Sequence, residues 1–271
     1  MTLEPLLIAE LATLGLATGF MAGLLGIGGG MLIGPFLTLI LSARGVPADL
    51  AVKMAIATSM ASIMFTSISS VRAHHQRGAV RWNLVKGLAP GIVMGGALAS
   101  LGVFALLKGT TLALLFAAFV SYSATQMFLD KKPKPSRQMP GMVGLTATGS
   151  VIGFLSGLVG AGGGFVSVPF MVAFNVPILN AVATSAALGF PIALANTTGY
   201  VLGGLQVPGL PDWSLGYVWL PGLLLIASCS VFTAPLGART AHRLPIAKLK
   251  RTFAMVLYLL AAYMLYKGLS G

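Results

Sequence analysis

Two apolar stretches, residues 5–41 and 141–174, are too long to cross a lipid bilayer as single helices. At about 1.5 Å per residue each would reach roughly 50 Å or more, against roughly 30 Å of hydrocarbon. Each stretch must break, and each carries a glycine triplet where it can. The first reads Gly23-Leu-Leu-Gly26-Ile-Gly28-Gly29-Gly30 with Pro35 beyond it; the second reads Gly157-Leu-Val-Gly160-Ala-Gly162-Gly163-Gly164 with Pro169 beyond it. Glycine costs a helix interior about 1 kcal/mol relative to alanine, so three in a row predict a loop at each triplet.

The two stretches are copies. At an offset of 134, residues 15–37 and 149–171 share 11 identities in 23 positions. The likeness continues: Val46-Pro47 matches Val176-Pro177, Ala57-Thr58-Ser59 matches Ala183-Thr184-Ser185, and Pro90-Gly91 matches Pro221-Gly222. A duplication therefore covers nearly the whole chain. It divides into a first transmembrane repeat (1–130), a basic linker (131–140) and a second repeat (141–271). In each repeat a GxxxGxxxG stripe, at 15, 19 and 23 and again at 149, 153 and 157, precedes the break. Small residues four apart let helix backbones approach closely in a membrane, and packing is the role expected of these six.

Further apolar runs at 54–71, 84–107, 110–129, 181–203, 215–235 and 251–266 have the length of single spans. Charged residues make up 8% of the chain and hydrophobic residues 56%, against about 25% charged in a soluble domain. Lipid must cover much of such a surface, so an integral protein of the inner membrane is expected. The net charge of +12 reads as the positive-inside bias rather than a nucleic-acid footprint, because the basic residues lie in short runs between spans. Glu4 and Glu10 occupy the place where a signal peptide needs basic residues, so the first apolar stretch is expected to be retained. The single cysteine, Cys229, supports neither a disulfide framework nor a metal cluster.

Thirteen of the 17 basic residues fall in three clusters: Arg72, Arg77, Arg81 and Lys86; Lys131, Lys132, Lys134 and Arg137; and Arg239, Arg243, Lys248, Lys250 and Arg251. If each long stretch crosses once, the second and third clusters lie on opposite faces and violate the positive-inside rule. If each is a hairpin of two short helices that enters and returns, all three clusters are cytoplasmic. Each half then has an odd number of crossings, so two homologous halves must be inverted. The expected fold is an all-α integral membrane protein with two inverted-topology repeats, each a broken-helix hairpin plus three transmembrane helices.

Inverted repeats with broken helices hold substrate near the bilayer midplane in known transporters. At a break, the amides that begin the next helix lack internal partners and sit at its positive dipole end, which favours an anion. Glycine lets an oxyanion approach those amides. Two cradles follow, Gly28-Gly29-Gly30 and Gly162-Gly163-Gly164. The repeated pairs Thr58-Ser59 and Thr184-Ser185, with Asn196 further along the second span, are the next substrate-binding candidates, and Ser62, Thr66, Ser67, Ser69 and Ser70 extend the first polar face. The five carboxylates, Glu4, Glu10, Asp49, Asp130 and Asp212, form no pair placed for acid–base catalysis, so no enzyme and no cofactor is expected. His74, His75 and His242 read as loop histidines near lipid headgroups. The expected partners are a small anionic substrate and the bilayer; a coupling ion and homo-oligomeric assembly stay open.

The segment Gly26-Ile-Gly28-Gly29-Gly30-Met-Leu-Ile-Gly-Pro35, its echo from Gly160 to Pro169, and Ala-Thr-Ser in the next span of each half resemble the sulfite exporter TauE/SafE family over essentially the whole chain. The resemblance implies transport of sulfur-containing oxyanions, such as sulfite, sulfoacetate or other organosulfonates, in bacteria. A secondary transporter working by alternating access is the leading reading, with a passive anion channel, or uptake instead of export, as the alternatives.

Overall fold

The computed structural model describes residues 4–26, 29–129, 138–243 and 247–270. Gly28 and residues 131–137 of the basic linker lie outside them. The chain is helical almost throughout: α1 (Pro5–Leu25), α2 (Gly30–Ala43), α3 (Ala48–His75), α4 (Trp82–Ala97, prolonged by a π-type turn at Leu98–Val103), α5 (Gly109–Leu129), α6 (Met142–Val159), α7 (Gly164–Ala173), α8 (Ile178–Gly204), α9 (Leu220–Ala241) and α10 (Ala247–Ser270). One antiparallel ladder, β1 (Ser214–Leu215) with β2 (Val218–Trp219), interrupts the pattern. It lies before α9, where the apolar run from 215 suggested helix alone.

Eight of the helices are long and apolar enough to span a bilayer, and α2 and α7 are shorter. Their outward faces are apolar, with Leu98, Leu101, Val151, Leu202, Leu224, Phe232 and Leu259 exposed. In water such a surface would cost about 25 cal/mol per Å²; in lipid it costs nothing. The protein is an all-α, multi-pass membrane protein.

Both long stretches break at their triplets. The hairpin arms differ from the expected pair of short helices: α1 alone has 21 residues, while α2 has 14 and α7 has 10. Nothing in α1 stops the helix before Gly26, so the entering arm reaches spanning length and only the returning arm is short. The return itself is held by an ion pair, with Arg44 Nη2 at the end of α2 lying 3.2 Å from Glu10 Oε2 in α1.

The glycine stripes bring backbones together. A Cβ on Gly15 would sit 2.7 Å from the Ile226 carbonyl oxygen, and Gly19 and Gly23 meet the backbone at Ser230 and Ala234, so α1 runs parallel to α9. Gly149 and Gly153 meet Leu88 and Ile92 in the same way, so α6 runs parallel to α4. The remaining pairs are antiparallel: α3 with α8, joined from Asn180–Ala79 to Gly189–Ser67, and α5 with α10, joined by Thr125 Oγ1 and Tyr258 OH at 2.6 Å. The packing is reciprocal: α1 of the first half pairs with α9 of the second, as α6 of the second pairs with α4 of the first.

These contacts sort the loops onto two faces. Asn180 Nδ2 donates to the Ala79 carbonyl at 2.8 Å, and His74 lies 3.2 Å from His242, so the 76–81 loop, the start of α8 and the end of α9 share one face. The start of α3 and the start of α5 meet at the other, where the Gly109 amide donates to Asp49. Among the described basic residues, Arg72, Arg77, Arg81, Arg239 and Arg243 gather at the first face.

Candidate substrate site at the two helix breaks

An α-helix that stops leaves its last four carbonyls without internal partners, and the next helix begins with amides in the same condition. In a membrane water cannot supply the missing bonds. The two breaks solve the carbonyl half of this problem identically. Gly26 and Gly160 turn the chain with φ of 67° and 73°, and Gly29 and Gly163 turn it again with φ of 72° and 74°. This left-handed region is open to glycine at little cost and disfavours a side chain.

Ser59 Oγ on α3 donates to the Gly160 carbonyl at 3.0 Å, and Ser185 Oγ on α8 donates to the Gly26 carbonyl at 2.7 Å. Each half therefore caps the break of the other. One turn earlier in each broken helix, the Gly23 carbonyl meets His74 Nε2 at 3.0 Å, and the Gly157 carbonyl accepts the hydroxyl proton of Tyr200. Ser167 Oγ donates to Ser185 Oγ at 2.9 Å and fixes that serine further.

The two breaks touch. A Cβ on Gly30 would collide with the Gly160 carbonyl oxygen and lie 2.9 Å from Ser59 Oγ. A Cβ on Gly29 would lie 2.8 Å from the Thr18 carbonyl oxygen, and one on Gly163 would lie 3.0 Å from Ser156 Oγ. Gly162 and Gly164 are buried beside them. Glycine at 30 is thus required by close packing, and at 29 and 163 by backbone conformation. The first amides to find a helical acceptor are Leu32 and Val166, bonding to the Gly29 and Gly163 carbonyls at 3.1 and 3.0 Å. The amides before them stand at the positive ends of α2 and α7, the part of the arrangement that can receive an anion.

Thr58 and Thr184 have a different task from the adjacent serines. The Trp219 amide, at the N-cap of α9, donates to Thr58 Oγ1 at 2.9 Å, and the Arg81 amide, at the N-cap of α4, donates to Thr184 Oγ1 at 3.0 Å. Both threonines fasten a helix start of one half to the central helix of the other. Asn196 is fully buried and donates to its own helix at Ile192; its Oδ1 lies where a Cβ on Gly157 would be. Among the described residues, Asn196 Oδ1, Ser156 Oγ and Ser70 Oγ are buried without a hydrogen-bond partner, an unusual state for buried polar atoms.

A narrow cleft reaches Gly26 at the first break, lined by Gly26, Ser185 and Gly189 with Thr66, Ser67 and Ser70. Ser62 and Thr66 bond back to their own helix, and Thr66 also meets Ser230 at 2.6 Å.

Sequence reasoning missed three polar residues. His74 is not a loop residue: it is fully buried in the last turn of α3. Tyr200 occupies the matching place in the second half, but its side chain shares no chemistry visible as a repeat. Lys53 lies almost buried, 3.6 Å from Asp49 and 5.8 Å over the Tyr217 ring; its position one residue before an apolar run hid a lysine inside a span. His75 does lie near the surface, accepting from Trp82 Nε1 at 3.1 Å. His242, just past α9, has its pKa lowered from the ordinary histidine value by burial first and by Arg77 second.

The sulfite exporter TauE/SafE family model matches residues 11–264. A "probable membrane transporter protein" of Haemophilus influenzae is 36% identical over 254 residues, covering 93% of this chain and 96% of that one. Proteins with the same description from Methanocaldococcus jannaschii and Bacillus subtilis are 27% and 29% identical, each over 96% of this chain. No solved structure matches.

Proposed function

The chain belongs to the sulfite exporter TauE/SafE family of membrane transporters, and from that premise we propose that it exports a small sulfur-containing oxyanion, sulfite, sulfoacetate or another organosulfonate, by alternating access. The observation that carries the reading is the asymmetry of satisfaction at the breaks. The carbonyls of Gly23, Gly26, Gly157 and Gly160 all have donors, while the first amides of α2 and α7 to find a helical acceptor are those of Leu32 and Val166, which leaves the amides before them for an outside acceptor. A cation would want the carbonyls; a sulfonate, with acceptor oxygens and negative charge, wants the amides.

In this reading the substrate is held by Gly28, Gly29, Gly30, Gly162, Gly163 and Gly164 through their backbone, with the serine hydroxyls at 59 and 185 beside them. The unpartnered Ser156 and Ser70 hydroxyls are spare donors. Thr58, Thr184 and Asn196 hold the surrounding helices.

The reading also takes residues 1–130 and 141–271 as inverted-topology repeats joined by a basic cytoplasmic linker at 131–140. The antiparallel run of α3 and α8, and the exchange of Ser59 and Ser185 between halves, support it. The basic face is then cytoplasmic.

Proteoliposomes holding the purified chain test the function. With unlabelled sulfoacetate or sulfite inside, labelled anion outside should enter faster than into vesicles without internal substrate. A passive channel has no such trans-stimulation, so entry that ignores the internal anion contradicts a carrier.

A further inference from the structure

Four donors close carbonyls at the two breaks, and three of them, Ser59, Ser185 and Tyr200, stay neutral near physiological pH. The fourth is His74. Its counterpart in the second half, Tyr200, packs at 4.3 Å against the ring of Phe104, while His74 lies 3.2 Å from His242. We propose that His74 and His242 form the proton-binding site of this transporter, through which protons from the basic face control the first break. The inference rests on the transport reading above and names its coupling ion.

Hydrogen-bond logic fixes the tautomers. The Gly23 carbonyl can only accept, so the nitrogen facing it, His74 Nε2, carries hydrogen. Neutral His74 then has a lone pair on Nδ1, and His242 Nε2 must donate to it across the 3.2 Å contact. That leaves the lone pair on His242 Nδ1 for an incoming proton. His242 is part-exposed and His74 is buried. A proton taken up at His242 Nδ1 makes that ring an imidazolium. Transfer of its Nε2 hydrogen to His74 Nδ1 leaves His242 neutral and His74 charged. One proton enters, one charge results, and no other group gains or loses hydrogen.

The charged ring would donate to Gly23 through a charge-assisted bond, roughly twice as strong as a neutral one. Gly23 belongs to the last turn of α1, at its negative dipole end, so protonation tightens α3 on the helix that forms the first break. Loss of the proton loosens it. The second break, held by Tyr200, does not respond. The groups facing the pair are few: α1 offers the Gly23 carbonyl, α9 offers His242 with Arg239 in its last turn, and Arg77, just past α3, bears on both rings. The positive charge of Arg77 opposes a second proton on the pair.

The test separates coupling from transport. Vesicles holding wild type, His74→Gln or His242→Gln are given labelled sulfoacetate or, in a parallel arm, thiosulfate, both of constant charge near neutrality. Counterflow is measured without a pH gradient, and steady-state accumulation with one. For one proton per anion, a gradient of one pH unit shifts the wild-type accumulation ratio about tenfold. His74→Gln keeps a donor for Gly23, and His242→Gln leaves that bond untouched. Both should retain counterflow and lose the tenfold shift. An equal shift in wild type and both variants, or none in a wild type that shows counterflow, overturns the proton site. Absence of counterflow in wild type for either anion instead overturns the transport reading, and the coupling falls with it.

Discussion

Ser59 and Ser185 do the same chemical work at opposite ends of the site, each closing a carbonyl left open by the other half's glycine turn. Removing either hydroxyl leaves a fully buried carbonyl unpaired. Ser59→Ala and Ser185→Ala should therefore each destabilise the protein by about 1 kcal/mol. Loss at Ser185 should be the larger, because Ser167 also donates to it. Melting in detergent measures both, and unchanged melting in either variant would remove that serine from the account. The serines were legible because Ala-Thr-Ser recurs in both halves, though not their partners, since each reaches across more than a hundred residues of sequence. The adjacent threonines looked equivalent, and each accepts from the amide at the N-cap of a helix in the other half. His74 and Tyr200 could not be found by repetition at all: the fold reuses the position and changes the side chain.

At the scale of helices, the stripes before the breaks decide how tightly the halves interlock. Gly19 lies so close to Ser230 and Thr233, and Gly153 to Ile92, that neither has room for a Cβ. Gly19→Leu and Gly153→Leu should push α1 from α9 and α6 from α4, giving protein that aggregates on size-exclusion chromatography. Gly141→Leu, whose Cβ would meet nothing within 4 Å, should elute as wild type. Monodisperse Gly19→Leu protein would mean that α1 and α9 are not packed as described. The breaks and the stripes were readable directly, because bilayer thickness and glycine's steric freedom are properties of short segments. The lengths of the hairpin arms were not. They depend on where the Ser185 and His74 caps await the end of α1, and on where Ser59 and Tyr200 await the end of α6. The β1–β2 ladder was equally hidden within an apolar run.

Across the whole molecule, the positive-inside argument and the helix packing agree on a two-faced protein. In a Cys229→Ser background, cysteines at 78 and at 45 should label from opposite sides of the membrane, with 78 cytoplasmic. Labelling of both from one side would undo the returning arm of α2 and with it the proposed inversion of the repeats. The central claim is more local than topology: a sulfur oxyanion rests on the opening amides of α2 and α7, where the two broken helices meet. Its most direct test is a structure of the protein with selenite, a heavier pyramidal analogue of sulfite, located by anomalous scattering. The account predicts selenium between Gly30 and Gly164, with its oxygens about 3 Å from those amides. Selenite found only among the surface arginines, with none at the breaks, would contradict it.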